Sequence, residues 1–490
     1  MRSQKLLLLG ALVGFVAVST ARADVKPHPL FVDNAVLQQG GEIPVWGLAD
    51  AGEKVTVTLA GLENKESPPS IAATADKDGK WMVKLPKQAA GIDYTLTIKG
   101  NNTVELKNIA VGEVWICSGQ SNMEMAVNSC YDADKARAAS ANPRVRLFTV
   151  IKRTATEPIA DQNDLKHFTK WTVAGPDTIG GFSAVAYFFG ANLQKNLPGN
   201  VPIGLIHTSW GGTPAEAWTS NEALVATPSL SYYAENAKKA AGGKLPVGPN
   251  VPSSLYNAMI HPLLPFAIKG AIWYQGESNA GKAFEYRTLF TTMIEDWRKK
   301  WASDFPFLLV QLAPWHAGDA DGVSWAELRE AQLLSTTKLK NVGMAVTTDV
   351  GDLYDIHPRD KATVGNRLAI NARGMVYGQK VTPSGPVYKD MKTEGDKVVL
   401  AFDNVGGGLM SRYQTLNGFE ICGEDRIFYP AKAKIEGTTV AVSSEKVAKP
   451  VAVRFGWKNY PVCNLYNKDG LPATPFRTDD FPLTTGGPKK

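Results

Sequence analysis

A serine stands at the point where a buried strand of this 490-residue chain ends. The apolar run Val114–Cys117 is typical of a short buried strand, and Ser118-Gly119-Gln120 breaks it in a tight turn that presents Ser121. In an open α/β sheet, ligands bind at the carboxyl ends of the strands. Ser121 is therefore a candidate nucleophile. The competing interpretation is that Ser121 caps the following helix, because serine is a preferred N-cap residue.

A glycine pair follows the next apolar strand, Ile203–His207. The bare backbone N–H groups of Gly211-Gly212 could stabilise an anion or could serve only a tight turn. The stretch Thr213–Glu216 has the pattern of a capping box with proline at the first helical position. The sequence therefore predicts that a helix begins directly after the glycines.

Two further polar stretches follow predicted strands. Strand Ala271–Tyr274 runs into Gln275-Gly-Glu-Ser-Asn279, and Asp349–Pro358 precedes a predicted helix. Polar side chains crowded at a strand end are costly to bury unless they are paired or solvated, and functional residues concentrate in such loops. A single histidine is more often structural than catalytic. His357 nevertheless follows three acidic residues, in a chain that also carries a strand-end serine.

Serine hydrolysis needs a nucleophile, a general base, donors for an oxyanion and an optional carboxylate that orients the base. Ser121, Gly212, Asn279 and His357 supply these types in chain order. The set resembles the SGNH hydrolase superfamily and, closely, the sialate O-acetylesterase family. The motifs that carry the resemblance are Gly-Gln-Ser-Asn-Met (119–123), Trp-Gly-Gly-Thr-Pro (210–214), Tyr-Gln-Gly-Glu-Ser-Asn (274–279), Asp-Ile-His-Pro (355–358) and the C-terminal stretch 465–479.

The resemblance implies a role for each residue of this set. Ser121 would be the nucleophile and His357 the general base. The backbone N–H groups of Gly212 and Ser121 and the side-chain amide of Asn279 would form the oxyanion hole. Met123 stands where the nucleophile elbow of α/β-hydrolases has glycine, so the turn that carries Ser121 is not that elbow.

The acid that orients the base is less clearly marked. Many SGNH enzymes place it three residues before the histidine, but position 354 is tyrosine. Asp355 is the first candidate, through its carboxylate or its backbone carbonyl, and Glu277 is the second.

Alternating apolar strands and amphipathic helices over 109–384 predict an α/β domain with a parallel sheet covered on both faces. The resemblance implies the flavodoxin-like core of SGNH hydrolases there. Residues 24–108 and 385–490 show β-type runs and predict an N-terminal β-sandwich and a C-terminal β domain. The segments 126–180 and 220–260 fit the alternation poorly and are interpreted as long loops or insertions over the edge of the sheet.

Residues 1–23 have the pattern of a secretory signal peptide. An apolar core, Leu6–Val18, follows basic residues and precedes the small-residue site Ala21-Arg-Ala23, and this core is too short to span a bilayer. We therefore expect export to the periplasm or the medium, with no membrane span in the mature chain. The formal net charge is +6, but the lysines and arginines form no basic run, which argues against nucleic acid as a partner. Four cysteines are too few for a disulfide scaffold, and Cys422 with Cys463 is the more plausible pair.

The predicted function is that of an exported carbohydrate O-acetylesterase that acts on O-acetylated sialic acids through an acyl-enzyme, without a cofactor or metal. Acetylated xylan or another polysaccharide is the alternative substrate. A non-catalytic carbohydrate-binding protein and a metal hydrolase built on Asp349, Asp352, Asp355 and His357 are alternatives of other classes. A sialic acid carboxylate would need an arginine, and Arg359 and Arg367 follow the histidine, although a solvated surface role is the default for either.

Overall fold

A computed structural model describes residues 24–61, 66–159, 169–244, 246 and 248–486. The predicted signal peptide, residues 1–23, lies outside the described residues. No described helix has the length and apolar character needed to cross a membrane.

The N-terminal region consists of two sheets. One has the order β1-β3-β6. In the other, β5 pairs with β4, β4 with β7 and β7 with β8, and β2 also pairs with β8. Buried and exposed residues alternate along β3 and β6, so each presents one face to a core. The strands are β1 (Lys26–Pro27), β2 (Val36–Gln38), β3 (Ile43–Leu48), β4 (Lys54–Ala60), β5 (Ser70–Thr74), β6 (Lys80–Leu85), β7 (Gly91–Lys99) and β8 (Thr103–Gly119).

Strand β8 belongs to two regions of the molecule. Its first half pairs antiparallel with β7, and its second half lies at the centre of a parallel sheet. All of its residues from Ile109 onward are buried. The boundary placed at residue 108 from the sequence therefore falls inside one continuous strand.

The central sheet has the order β10-β9-β11-β8-β12-β13-β14, and every pair except β10 with β9 is parallel. This confirms an α/β fold with a parallel sheet. Strands β11 to β14 are buried at every residue, as expected when helices cover both faces. The strands are β9 (Asn142–Thr149), β10 (Thr172–Ala174), β11 (Ile203–Ser209), β12 (Gly270–Tyr274), β13 (Phe307–Val310) and β14 (Val342–Ala345).

The interpretation of 126–180 and 220–260 as long loops or insertions over the edge of the sheet is wrong in part, because part of the first segment belongs to the sheet itself. Strands β9 and β10 lie in the first segment and extend the central sheet at its edge, and helices occupy part of the second. Strand β10 has three residues and β9 contains a proline, so the alternation was too short to be recognised.

Helix α3 packs against α8, and α6 packs against α7. One face of α6 is apolar and buried, and it includes Tyr286, Leu289, Phe290, Met293, Ile294 and Trp297. The helices are α1 (Ser121–Glu124), α2 (Ala133–Ala138), α3 (Ala184–Asn196), α4 (Asn221–Ala226), α5 (Ser231–Ala241), α6 (Ala283–Trp301), α7 (Ser324–Lys338) and α8 (Lys361–Met375). Short 3₁₀-helices cover Val127–Ser129, Ala215–Trp218, Pro228–Leu230, His261–Leu263 and Glu277–Lys282, and a π-helical turn covers Tyr256–Ile260.

The C-terminal region has an apolar core of its own, built from side chains such as Val398, Leu400 and Phe455. Its sheets have the orders β15-β16-β21-β20, β19-β18-β22-β24 and β17-β23. The strands are β15 (Val387–Glu394), β16 (Lys397–Asp403), β17 (Leu409–Ser411), β18 (Phe419–Cys422), β19 (Tyr429–Pro430), β20 (Lys432–Glu436), β21 (Thr439–Ser443), β22 (Ala452–Phe455), β23 (Leu465–Asn467) and β24 (Phe476–Arg477).

Cys422 and Cys463, the pair that the sequence favours if any disulfide forms, are not bonded to each other, and both thiols are free. A disulfide requires the two Cβ atoms to lie within about 4.5 Å of each other. Two cysteines that share one late segment of the chain need not lie this close together.

Candidate active site

The turn that presents the nucleophile depends on one glycine. Gly119 has a φ of +141°, and a Cβ atom placed on it would lie 2.1 Å from the carbonyl oxygen of Tyr274. The turn can therefore press this closely on β12 only with glycine at this position. The next backbone N–H, that of Gln120, donates to the same carbonyl at 3.0 Å. Gln120 is the N-cap of α1 and Ser121 its first residue, so the N-cap interpretation of the serine is wrong.

The serine and the histidine meet across the end of the sheet. Ser121 Oγ lies 2.8 Å from Nε2 of His357, although 236 positions separate them in the chain. Burial lowers the pKa of His357, Asp355 opposes this effect, and Lys361 adds to it. The imidazole is therefore neutral at neutral pH. With its proton on Nδ1, Nε2 can accept the hydroxyl proton of the serine.

Only one of the two candidate acids lies beside the imidazole. Asp355 Oδ1 accepts the backbone N–H of His357 at 2.8 Å and stands 3.6 Å from the imidazole Nδ1. That second distance is too long for a hydrogen bond, but it lets the carboxylate stabilise the imidazole once the ring is protonated. Glu277 Oε1 accepts from the Asn122 side chain at 2.5 Å instead, and the described residues show no hydrogen bond or ion pair between Glu277 and His357.

The glycine loop after β11 passes over the nucleophile. A Cβ atom on Gly211 would lie 3.2 Å from Cβ of Ser121. The N–H of Gly211 donates to Glu124 Oε2 at 2.6 Å, so it is already engaged. Gly212 follows with a φ of +75° and open space around it, and no hydrogen bond of its N–H occurs among the described residues. Of the pair, Gly212 has the N–H that is available to a ligand.

Asn279 is buried and its amide is held in one orientation. Its Oδ1 accepts from the Ala215 N–H at 2.9 Å and from Gln275 Nε2 at 2.6 Å. Its Nδ2 donates one hydrogen to Glu216 Oε2 at 2.9 Å. An amide nitrogen carries two hydrogens, so one remains for a ligand.

The predicted capping box at Thr213–Glu216 is wrong. The helix there is the 3₁₀ turn Ala215–Trp218, its N-cap is Pro214, and no side chain caps it. Glu216 holds Asn279 instead, and its burial raises its pKa while the hydrogen bond from Asn279 lowers it. Sequence reasoning therefore recognised Glu216 but assigned it the wrong partner.

An open cleft of about 710 Å³ lies beside the Ser121–His357 pair. Among its lining residues, Lys152 and His207 were not identified from the sequence. Lys152 Nζ lies 2.5 Å from Glu124 Oε1 and 5.5 Å from the ring centroid of Trp210. His207 is buried, which lowers its pKa to about 4, so it lines the cleft as an uncharged imidazole. Its position at the end of the predicted strand Ile203–His207 was the signal that could have found it.

The acidic residues considered as metal ligands form hydrogen bonds and ion pairs with other protein groups. Asp349 forms a bidentate pair with Arg367, at 2.6 and 2.8 Å, and Asp352 Oδ1 accepts the backbone N–H of Tyr354. No group of three or more metal-ligand side chains is found within the described ranges. Arg367 is buried, so the solvated role expected for it is wrong. Of the two arginines, Arg359 is the one exposed beside the cleft: its Nε donates to the carbonyl of the cleft residue Ser129 at 2.9 Å.

Comparison with known proteins gives concordant matches. The family model for carbohydrate esterases described as sialic acid-specific acetylesterase matches residues 111–373. The sialate O-acetylesterase of Homo sapiens is 33% identical, over 88% of this chain and 88% of that protein, and that of Rattus norvegicus is 31% identical, over 91% and 93%. The crystal structure of a carbohydrate acetylesterase from Xanthomonas citri superposes with a TM-score of 0.85 at 39% identity, covering 94% of this chain and all of the other.

Proposed function

We propose that this chain, which belongs to the sialic acid-specific acetylesterase family of carbohydrate esterases, removes acetyl groups from O-acetylated sialic acids. The proposed reaction passes through an acyl-enzyme on Ser121. Membership of this family makes the chain a carboxylic ester hydrolase. The observation that supports the mechanism is the 2.8 Å approach of Ser121 Oγ to His357 Nε2.

The proposed reaction has two acyl transfers. As Ser121 Oγ bonds to the acetyl carbon, its proton passes to His357 Nε2 and the carbonyl electron pair moves onto oxygen. When this tetrahedral intermediate collapses, the bond to the sugar oxygen breaks and the imidazolium gives that oxygen its proton. Water then attacks the acetyl-serine in the same way, and acetate leaves with Ser121 and the neutral imidazole restored.

The proposed oxyanion donors are the N–H groups of Ser121 and Gly212 and the second amide hydrogen of Asn279. Ser121 is the first residue of α1, where a helix leaves its N–H without an intrahelical partner. The Glu216 carboxylate accepts one hydrogen of the Asn279 amide, which leaves the second hydrogen for the oxyanion. Asp355 is the proposed orienting acid, because it faces Nδ1 and would stabilise the imidazolium that forms.

The choice of an acidic sugar is supported by Arg359. Its guanidinium stacks over the Tyr131 ring at 5.3 Å, and its Nη groups have no hydrogen-bond partner among the residues that the structure describes. A carboxylate on the substrate could therefore pair with it. Neutral acetylated xylan, the second candidate, would make no use of this charge.

The test compares acetate release from O-acetylated sialic acid and from acetylated xylo-oligosaccharide. We expect turnover of the sialic acid ester that Ser121→Ala abolishes and that EDTA leaves unchanged. Arg359→Ala should lower kcat/KM for the sialic acid ester by about tenfold or more, since a hydrogen bond to a charged group contributes roughly 1.5–3 kcal/mol. Arg137→Ala is the matched control, because its Nε also donates to a surface carbonyl. Equal or faster turnover of the xylan ester would favour the second candidate.

We also propose that the chain is exported after cleavage at Ala23 and that the β regions 24–108 and 385–490 flank the hydrolase core as N-terminal and C-terminal domains, the first of which shares strand β8 with the core. The basic residues, the apolar core and the small-residue cleavage site within residues 1–23 support export. Intact mass of the protein recovered from periplasm or medium tests this, and a mass that includes residues 1–23 would contradict it.

A further inference from the structure

A buried amide beneath the active site joins three of the polar loops and helix α8. Asn122, the residue after the nucleophile, donates one Nδ2 hydrogen to Glu277 Oε1 at 2.5 Å and points the same amide at the Ile356 carbonyl at 3.0 Å. Its Oδ1 accepts from Nζ of Lys361, the first residue of α8. The hydrogen-bonding capacity of this one amide is thus spent on contacts between distant segments.

Lys361 is unusual for a lysine because it is fully buried. Its Nζ lies 5.2 Å from the ring centroid of Tyr274 and bonds to Asn122, and burial lowers its pKa to about 8. Glu277 Oε2 is also buried, with no hydrogen-bond partner among the described residues. An ammonium and a carboxylate withdrawn from water cost free energy, and a structural role alone would be filled as well by apolar side chains.

The position of the network indicates what it does. Ile356 directly precedes His357, so the amide that holds the Ile356 carbonyl also fixes the peptide from which the imidazole extends. Asn122 directly follows Ser121. The amide therefore connects the backbone of the nucleophile to the backbone of the base and bears on the distance between Oγ and Nε2.

We propose that Lys361 and Glu277 are positioning residues: together they hold the Asn122 amide, which clamps the His357 loop against the helix that carries Ser121. The inference rests on the proposed function in taking Ser121 and His357 as the reacting pair. It assigns Glu277 an action through Asn122 rather than on the imidazole itself. A displacement of about 1 Å between reacting groups can cost on the order of a hundredfold in rate.

Other ionisable groups also face Lys361. Besides Glu277 these are the carboxylates of Asp355 and Asp360 and the thiol of Cys130, whose pKa burial raises to about 11. The positive charge of Lys361 lowers the pKa of His357. Removal of that charge should raise the pKa of the imidazole. The acid limb of the kcat/KM profile would then move to higher pH, a change that loss of packing alone would not produce.

The experiment measures kcat, KM and the rate at which a fluorophosphonate labels Ser121 in Lys361→Met, Glu277→Gln and the double variant. The label reports nucleophile reactivity whatever the natural ester is, so a wrong substrate assignment would leave this test intact. We expect each single variant to lose roughly tenfold to a hundredfold in kcat and in labelling rate, with KM within about threefold. Lys361→Met should also shift the acid limb upward. The double variant should lose no more than the worse single one, because the two residues act as one unit.

Labelling to completion, at one label per chain, shows that a variant is folded. Asn371→Leu is the control for α8: Asn371 is buried on the same helix and donates to the Met344 and Pro383 carbonyls, away from the site. The Asn371→Leu variant should have a lower melting temperature and an unchanged kcat. Wild-type kcat and labelling rate in Lys361→Met, additive losses in the double variant, or an equal loss of kcat in Asn371→Leu would each overturn the proposal.

Discussion

At the scale of the residue, the reactivity of the site depends on a neutral histidine. Burial lowers the pKa of His357, which keeps Nε2 unprotonated as the pH falls below neutrality, while Asp355 at 3.6 Å from Nδ1 acts in the opposite direction. The two effects have different catalytic consequences: a low pKa keeps the base available, and a nearby carboxylate stabilises the imidazolium of the transition state.

Replacement of Asp355 by asparagine should separate these consequences. Asp355 raises the pKa of His357, so its loss should move the acid limb of kcat/KM to lower pH. The limiting rate should fall, by less than in Ser121→Ala, because base and nucleophile remain. A pH–rate profile from pH 4 to 8 measures both. An unchanged limb would show that the carboxylate does not face the imidazole in the working enzyme.

The oxyanion donors permit a second measurement on single residues. Asn279→Ala should lower kcat by about a hundred- to a thousandfold, because one such donor contributes roughly 2.7–4 kcal/mol in the transition state. Glu216→Gln keeps the size of the side chain that holds Asn279. It should therefore cost less than Asn279→Ala. Wild-type turnover in Asn279→Ala would remove this amide from the oxyanion hole.

At the scale of the element, the site depends on how closely β8 approaches β12. Tyr274 pairs with Gly119 in register, and its carbonyl oxygen occupies the space that a side chain at Gly119 would need. The two strands therefore deliver Ser121 and the loop of Asn279 to one edge of the sheet.

Gly119→Ala tests this close approach. We expect a lower melting temperature and slower fluorophosphonate labelling of Ser121, because the new methyl group must displace backbone and the φ of +141° disfavours alanine. Gly41→Ala is the control, since nothing lies within 4 Å of a Cβ atom there. Equal stability of the two variants would argue against a steric requirement at position 119.

At the scale of the whole molecule, buried charge connects the core to the C-terminal region. Asp349 follows β14 and pairs with Arg367 of α8, and Arg412 from beyond β17 approaches it to 3.6 Å. Arg412 also stacks over the ring of Tyr466 on β23, at 4.4 Å. The carboxylate thus balances charge from two regions of the chain.

Asp349→Asn should destabilise the protein by about 3–5 kcal/mol, because it leaves the buried Arg367 guanidinium without its counter-charge. Urea unfolding measures this. Glu445→Gln removes one partner of an exposed ion pair with Lys432 and should leave the urea midpoint unchanged. A small effect of Asp349→Asn would mean that water reaches the guanidinium.

The sequence by itself determined the α/β class and the strand ends that carry polar loops. These follow from local patterns, since apolar runs and turn residues interact with their own neighbours in the chain. The resemblance of its motifs to a known family pointed to the serine, histidine, glycine and asparagine of the candidate site. Only the tertiary structure decided partners. It placed Asp355 rather than Glu277 beside the imidazole, gave Glu216 to Asn279 and Asp349 to Arg367, and left Cys422 and Cys463 unpaired. The physical reason is that a hydrogen bond or ion pair depends on distances of a few ångströms between segments far apart in the chain, and only the packing of the whole fold sets those distances.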